Sequence, residues 1–145
     1  MKKLSLLFIC VGLAGMSCQS NTNPQSNEDQ VTKRRLLGSW ETIHTLIPEV
    51  KQSYNNLITK KITINDFKEN SSALLQAYSF FFFSLKDKVF MDKHTKLVQF
   101  VSSHNQSESI EAMKQVYAKI EKLNKEWQAS FPTKEIVLEK WQTFK

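Results

Sequence analysis

Hydrophobic residues recur at helical spacing along most of the chain after residue 31. From residue 32 to residue 59 they are separated by alternating steps of four and three, which places them on one face of a helix. The residues of this seam are Leu36, Trp40, Ile43, Ile47, Val50, Tyr54 and Leu57. Pro48 lies inside the segment, where it either kinks the helix or breaks it and opens a new one. Because the seam keeps its register across Pro48, we favour the kink.

A short extended connection at residues 62–64 separates this element from the next helix, which we expect Asn65 or Asp66 to cap. The core stripe of that helix contains Phe67, Leu74, Leu75, Tyr78, Phe81, Phe82 and Leu85. A second apolar face, turned by about 130°, contains Phe83, Phe90, His94, Leu97, Val101 and His104. Either one long helix presents both faces, or the helix breaks at residues 86–88 with Asp87 as the new cap. We favour the break.

The C-terminal part predicts two further helices. Residues 105–109 are polar, and Ser107 suits a helix start because acidic residues follow it. The helix should end near Phe131, before Pro132, and a short last helix should cover residues 134–144. The stripe of the longer helix contains Ile110, Met113, Tyr117, Ile120, Leu123 and Trp127. On one side of the last helix lie Val137, Trp141 and Phe144.

Turn-forming residues are scarce after residue 30, where the chain has one glycine, Gly38, and two prolines, Pro48 and Pro132. A β-sandwich or barrel of this length needs several tight turns built on Gly, Asn-Gly or Pro. We therefore predict an all-α fold, an antiparallel bundle of three to five helices at residues 31–145. A segment of this length is large enough to form one domain with its own hydrophobic core.

The N-terminus has the pattern of an export signal. Lys2 and Lys3 precede an almost wholly apolar segment, residues 4–13, and small residues follow it. This order is typical of a secretory signal peptide, and the apolar segment is shorter than the roughly 20 residues that cross a bilayer. Residues 19–30 are polar throughout and rich in Asn, Gln and Ser, so they predict a disordered linker.

The end of this signal resembles the cleavage site of bacterial lipoproteins, in which small residues precede a cysteine. Here the matching residues are Gly15-Met16-Ser17-Cys18, and Gly15 departs from the family pattern, which more often has Leu. The resemblance implies that residues 1–17 are removed and that Cys18 carries a diacylglycerol and an amide-linked acyl chain. Residues 18–30 would then be the lipidated cysteine and its linker.

The same resemblance implies a location in the cell envelope. Gln19, not Asp, follows the cysteine, which by the best-known sorting rule implies the outer membrane. The alternative is cleavage after Ala14, which leaves a soluble periplasmic or secreted protein with an unpaired thiol at Cys18. We favour the lipid anchor.

Charge excludes one class of partner. Removal of residues 1–17 leaves 18 basic and 14 acidic residues, spread along the predicted helices. So modest a surplus is typical of a solvated surface, and we predict no nucleic-acid partner. The tight basic cluster Lys33-Arg34-Arg35 lies close to the predicted anchor and is a candidate for contact with anionic headgroups. A solvated first turn of the helix is the alternative.

Four consecutive phenylalanines, Phe80 to Phe83, are the most unusual internal feature. Consecutive helical residues point in four directions, so a helix packed on one side cannot bury all four. Phe81 and Phe82 belong to the core stripe, whereas Phe80 and Phe83 point roughly the opposite way. They are candidates for a lipid, apolar-ligand or partner surface. The alternatives are a central helix, cover by the C-terminal helix, or a local strand.

Motifs for catalysis are absent from the sequence, which has no phosphate-binding loop, nucleophile elbow, H-E-x-x-H or haem attachment motif. We predict a protein that is not an enzyme and has no cofactor. Glu41 and His44 have the E-x-x-H spacing of di-iron bundles, but such bundles need two such pairs. A metal-binding bundle using His44, His94 and His104 is therefore the weakest of three hypotheses for function.

The leading hypothesis is an acyl-anchored envelope protein whose helical domain binds another protein. Phe80 and Phe83 are its expected contact residues, with Lys33, Arg34 and Arg35 resting on the membrane. The second hypothesis is a carrier of a hydrophobic small molecule or lipid in the bundle interior, lined by the same phenylalanines. The sequence does not identify the partner.

Overall fold

A computed structural model describes residues 24–145, and within that range it has five helices and no strand. They are α1 Pro24–Ile58, α2 Ile64–Leu85, α3 Lys88–His104, α4 Ile110–Ser130 and α5 Lys134–Phe144. The chain divides into two units, Met1–Val31 and Thr32–Lys145, and the bundle belongs to the second. The all-α prediction is confirmed, at the upper limit of three to five helices.

Aromatic contacts show that neighbouring helices run antiparallel. Near one end of the pair α1–α4, the ring centroids of Trp40 and Trp127 are 6.3 Å apart. Further along α1 and further back along α4, Tyr54 stacks on Tyr117 at 4.2 Å. Two residues join α2 to α3 and five join α3 to α4, and each of these pairs packs side by side. The short last helix packs on α2.

Helix α1 begins earlier than the sequence predicted. Its first residue is Pro24, not residue 32, so residues 24–30 of the predicted linker are helical. Proline is favoured at the first helical position because its fixed φ suits a helix and its missing amide is not needed there. No glycine or further proline interrupts the polar residues that follow. The remainder of the predicted linker, residues 18–23, lies outside the described residues.

The predicted seam of α1 is confirmed. Four residues spaced by seven are fully buried, namely Leu36, Ile43, Val50 and Leu57. The residues between them pack against the core half-buried, namely Trp40, Ile47 and Tyr54. The helix continues through Pro48, so the alternative of a break there is wrong. Proline has no amide to donate to the carbonyl four residues earlier. Because Pro48 is exposed, that carbonyl lies on the side of the helix that faces water.

Of the helix caps predicted from the sequence, the one at α3 is confirmed and those at α2 and α4 are wrong. Asp87 caps α3 as predicted, and its carboxylate accepts from the amides of Val89 and Phe90. The cap of α2 is Thr63, not Asn65 or Asp66. Thr63 and Asp66 form a capping box in which Asp66 is the third helical residue. The Thr63 amide and, to a smaller extent, its hydroxyl lower the pKa of Asp66.

Ser109, not Ser107, caps α4, and its hydroxyl accepts from the Ala112 amide. The two serines suit a cap equally by residue type, so the sequence placed the start two residues early. Helix α5 begins and ends at the predicted residues, with Thr133 as its cap. Phe144, predicted to share a side with Val137 and Trp141, is 40% exposed whereas those two are buried.

The core stripes of α2 and α4 are confirmed, and the second face needs one correction. All seven predicted stripe residues of α2 are buried. On α3, Phe90 and Leu97 are buried and the remaining members of that face are half-buried. Phe83 does not belong to this face. Because α2 ends at Leu85, Phe83 lies on the outer side of α2 and is 74% exposed.

Candidate interaction surface

The side of α2 that faces away from the core forms the candidate surface. Its residues are all exposed and share one helical face; we name them together the outer α2 face: Glu69, Ala73, Gln76, Phe80 and Phe83. Phe80 is 60% exposed and Phe83 is 74% exposed, whereas Phe81 and Phe82 between them are buried. At 100° per residue, the two exposed rings lie on the opposite side of the helix from the core stripe. The alternatives in which α2 is central or covered by the last helix are therefore wrong, as is a local strand.

Core contacts fix this rotation of α2. The Tyr78 hydroxyl donates to Asn124 Oδ1 at 2.6 Å, and both residues are buried. The Phe81 ring lies 5.6 Å from Trp127 and 5.0 Å from Phe131, measured between centroids. Turning α2 enough to bury Phe80 would break the hydrogen bond and these ring contacts, so the exposed rings are held outward.

The corner between α2 and α3 extends the surface. Lys86 adopts a left-handed backbone with φ 64°, and Asp87 caps the next helix. Lys86 and Lys88 are exposed, and Val89 is 64% exposed. Asp87 is buried, so its charge is directed to the helix amides and not to the surface. Three exposed residues, Lys86, Lys88 and Val89, thus follow Phe83 within six positions of the chain.

A groove of about 790 Å³ lies between α2 and α3. Leu75, Val98 and Val101 supply its apolar side chains, and serines, Asn65, Asn105 and Gln76 supply hydrogen-bonding groups. Neither Phe80 nor Phe83 lines it. The carrier hypothesis placed those two rings inside the bundle, and the structure places them outside. The bundle interior instead contains stacked core rings, such as Phe82 against Tyr78 and Phe90.

The three histidines have separate environments. The His44 ring forms T-shaped pairs with the rings of Trp40 and Trp127. His94 Nε2 lies 2.8 Å from the Leu75 carbonyl oxygen. The His104 ring stacks on Phe100. Within residues 24–145, no three side chains of the metal-ligating types come together. Glu41 does not pair with His44, since its carboxylate accepts from Lys134 on α5. Nothing in the described range groups the residues of the metal hypothesis.

The predicted membrane-side residues lie on α1. Lys33, Arg34 and Arg35 are all exposed, close to the N-terminal end of the bundle unit. None of the described helices is long and apolar enough to cross a membrane. Cys18 and the signal sequence lie outside the described residues, so the lipid anchor stays a prediction.

Sequence reasoning found the two phenylalanines but missed their neighbours on the surface. Val89 was not singled out because one valine beside a lysine is common on any helix. Ala73 and Gln76 are small or polar, and only their spacing from Phe80 and Phe83 reveals that they share a face. That spacing was legible in the sequence once the orientation of α2 was known.

Comparison with known proteins identifies no relative. No protein-family model, curated protein or solved structure matches the chain. A function can therefore be inferred only from its own residues, above all from the outer α2 face and the N-terminal sequence.

Proposed function

We propose that this protein is an envelope lipoprotein, anchored through acylated Cys18, whose helical bundle binds another protein chain through Phe80 and Phe83. The carrying observation is the exposure of these two rings, 60% and 74%, on the side of α2 opposite the core. Lys33, Arg34 and Arg35 would rest against anionic headgroups, at about 1 kcal/mol per charge. In this proposal the protein is a binding module and not an enzyme.

Burial energetics support a partner at this position. Leaving a phenylalanine side chain in water forgoes about 2–3 kcal/mol of burial free energy. Single exposed apolar residues are ordinary, but Phe80 and Phe83 are two exposed aromatic rings one turn apart on the same helical face. Aromatic residues are enriched at the energetic centres of protein interfaces. A rigid surface of this kind binds without the cost of ordering a loop.

The partner contact is tested with Phe80→Ser combined with Phe83→Ser in the full chain. Since both rings are exposed, we expect the melting temperature to change by less than about 3 °C. Capture of the partner, by cross-linking in cells and co-purification from membranes, should fall at least tenfold. Interface positions of this type carry about 2 kcal/mol or more when truncated.

Two matched variants serve as controls. Gln99→Ser changes an exposed glutamine on α3, outside the outer α2 face, and Ile58→Ser removes a 38% exposed apolar side chain from the far end of the bundle. Both should capture the partner at close to the level of the unaltered protein. If the double serine variant retains full capture, or if Ile58→Ser loses as much, the proposed surface is wrong.

The anchor has a separate test. The intact mass of the protein extracted from membranes should correspond to residues 18–145 plus two or three acyl groups. A Cys18→Ala variant should lose both the added mass and the membrane association, because this one residue carries all the chains, the diacylglycerol on its thiol and the further acyl chain on its amino group. A chain that begins at Gly15 with an unmodified sulfhydryl would contradict the lipoprotein assignment.

A further inference from the structure

The outer α2 face has the spacing of a helix-pairing seam. Ala73, Gln76, Phe80 and Phe83 are separated by three, four and three residues, and all four are exposed. This is the heptad spacing with which one helix packs along another. The inner stripe of α2 is occupied by the core, so this outer seam is a second packing face that nothing in the described bundle covers.

The size of the side chains changes along the seam. The N-terminal half carries Ala73 and Gln76, with exposed Ser72 beside them, and the C-terminal half carries Phe80 and Phe83. Two such faces packed antiparallel about residue 78 put Phe83 of one copy opposite Ala73 of the other, and Phe80 opposite Gln76. Large side chains then meet small ones, which is how packed helices interdigitate.

Charge along α2 favours the same arrangement. Residues 70–85 contain no Asp, Glu, Lys, Arg or His, whereas Glu69 precedes this stretch and Lys86 follows it, both exposed. In the antiparallel pair, Glu69 of each copy lies near Lys86 of the other. A parallel pair would instead place Glu69 against Glu69 and Lys86 against Lys86. Opposite charges at the two ends therefore specify antiparallel pairing.

We propose that the outer α2 face binds a second copy of this chain, with the two α2 helices antiparallel about a two-fold axis near residue 78. This inference rests on the proposed function, since it names the chain that covers Phe80 and Phe83. A two-fold interface uses the same patch on both subunits, so the patch must be self-complementary. The reversed size order and the opposite end charges satisfy that requirement.

The pairing is expected to be weak in dilute solution. From Glu69 to Lys86 the helix rises about 26 Å, and a helix face about 10 Å wide along that length is well below the roughly 800 Å² per partner of a standard interface. Two copies held on one membrane face each other at a much higher effective concentration. Association should therefore be strongest in the membrane-bound, full-length protein.

The test is co-purification of two differently tagged full-length copies extracted together from membranes in mild detergent. Glu69→Lys and Lys86→Glu, each alone, should lower the co-purified fraction about fivefold, since each turns two rim attractions into repulsions. The double variant Glu69→Lys/Lys86→Glu should restore it, because the reversed charges again face each other. Phe80→Ser with Phe83→Ser should abolish it, and Ile58→Ser should leave it unchanged.

Rescue by charge exchange cannot arise from two copies sharing a detergent micelle or from a loss of folding. Co-purification that is indifferent to all charge reversals, or absent in the unaltered protein, overturns the dimer. If capture of a different protein still depends on Phe80 and Phe83, the proposed function survives that failure. If the unaltered protein co-purifies with neither a second copy nor any other protein, both proposals are wrong. Phenylalanine-dependent binding to anionic phospholipid vesicles without self-association would assign the face to the bilayer and overturn the dimer.

Discussion

Replacing Trp127 with Ala is expected to lower the free energy of unfolding by about 3–5 kcal/mol, the usual cost of deleting a large buried aromatic side chain. Trp127 is completely buried. Its ring centroid lies 5.6–6.3 Å from those of five other rings, namely Phe81, Tyr78, His44, Phe131 and Trp40. Urea unfolding followed by far-ultraviolet circular dichroism measures the loss. Phe144→Ala, at a 40% exposed position, should cost about 1 kcal/mol or less.

The indole nitrogen of Trp127 makes this prediction sharper. Trp40 Nε1 donates to the Phe131 carbonyl at 2.8 Å, whereas buried Trp127 Nε1 has no acceptor among the described residues. A buried donor without a partner costs about 1–3 kcal/mol. Trp127→Phe removes that donor and keeps most of the ring packing, so it should destabilise far less than Trp127→Ala. Because both variants remove the donor, its cost is read from Trp127→Phe alone, and a loss of several kcal/mol in that variant would show that the unpaired donor costs little.

Tyr78→Phe is the second large expected effect, because it leaves the buried Asn124 side chain without its 2.6 Å hydrogen bond. We expect a loss of about 1–3 kcal/mol at pH 7. The same tyrosine makes stability depend on alkaline pH. Burial raises the pKa of Tyr78, and burial together with the nearby Glu121 carboxylate raises the pKa of Tyr117 to about 12.

The raised pKa values determine whether stability rises or falls with pH. An unfolded tyrosine loses its proton near pH 10, whereas the folded protein keeps both protons, so the full stability is present below about pH 10 and falls as the pH rises above it. Each group contributes a slope of at most about 1.4 kcal/mol per pH unit. Tyr78→Phe should reduce the slope measured by urea unfolding between pH 10 and 11.5. Tyr117→Phe should retain the part of the slope that comes from Tyr78. If Tyr78→Phe leaves the slope unchanged, Tyr78 is not a source of this pH dependence.

Most of the fold was legible in the sequence because burial and helical spacing coincide. All seven predicted stripe residues of α2 are buried, and the seven seam residues of α1 are either buried or half-buried against the core. Starts and ends were less well determined, because Thr63 competes with Asp66, and Ser109 with Ser107, for the same capping role. The choice depends on which residue reaches the first free amides. The early start of α1 was missed because polar residues give no periodic signal.

The candidate surface was half predictable. Helical geometry alone separates Phe80 and Phe83 from Phe81 and Phe82, so the exposed pair could be named from the sequence. Whether another helix covers that pair depends on tertiary packing, which periodicity does not contain. Asn124 illustrates the same limit, since a polar residue next to the α4 stripe gives no sign of a partner 46 positions earlier. Cys18 and its acylation stay predictions from the signal sequence.

The two-residue connection between α2 and α3 has a consequence for the order of folding. Short loops close with the least loss of chain entropy, and this one is already directed by the Asp87 cap and by the stacked rings of Phe82 and Phe90. We therefore expect the hairpin of α2 and α3 to form before α1 packs against α4, which lies far from it in the sequence. On this order, the two outward rings are in position while the rest of the bundle is still assembling, when they are most open to premature association.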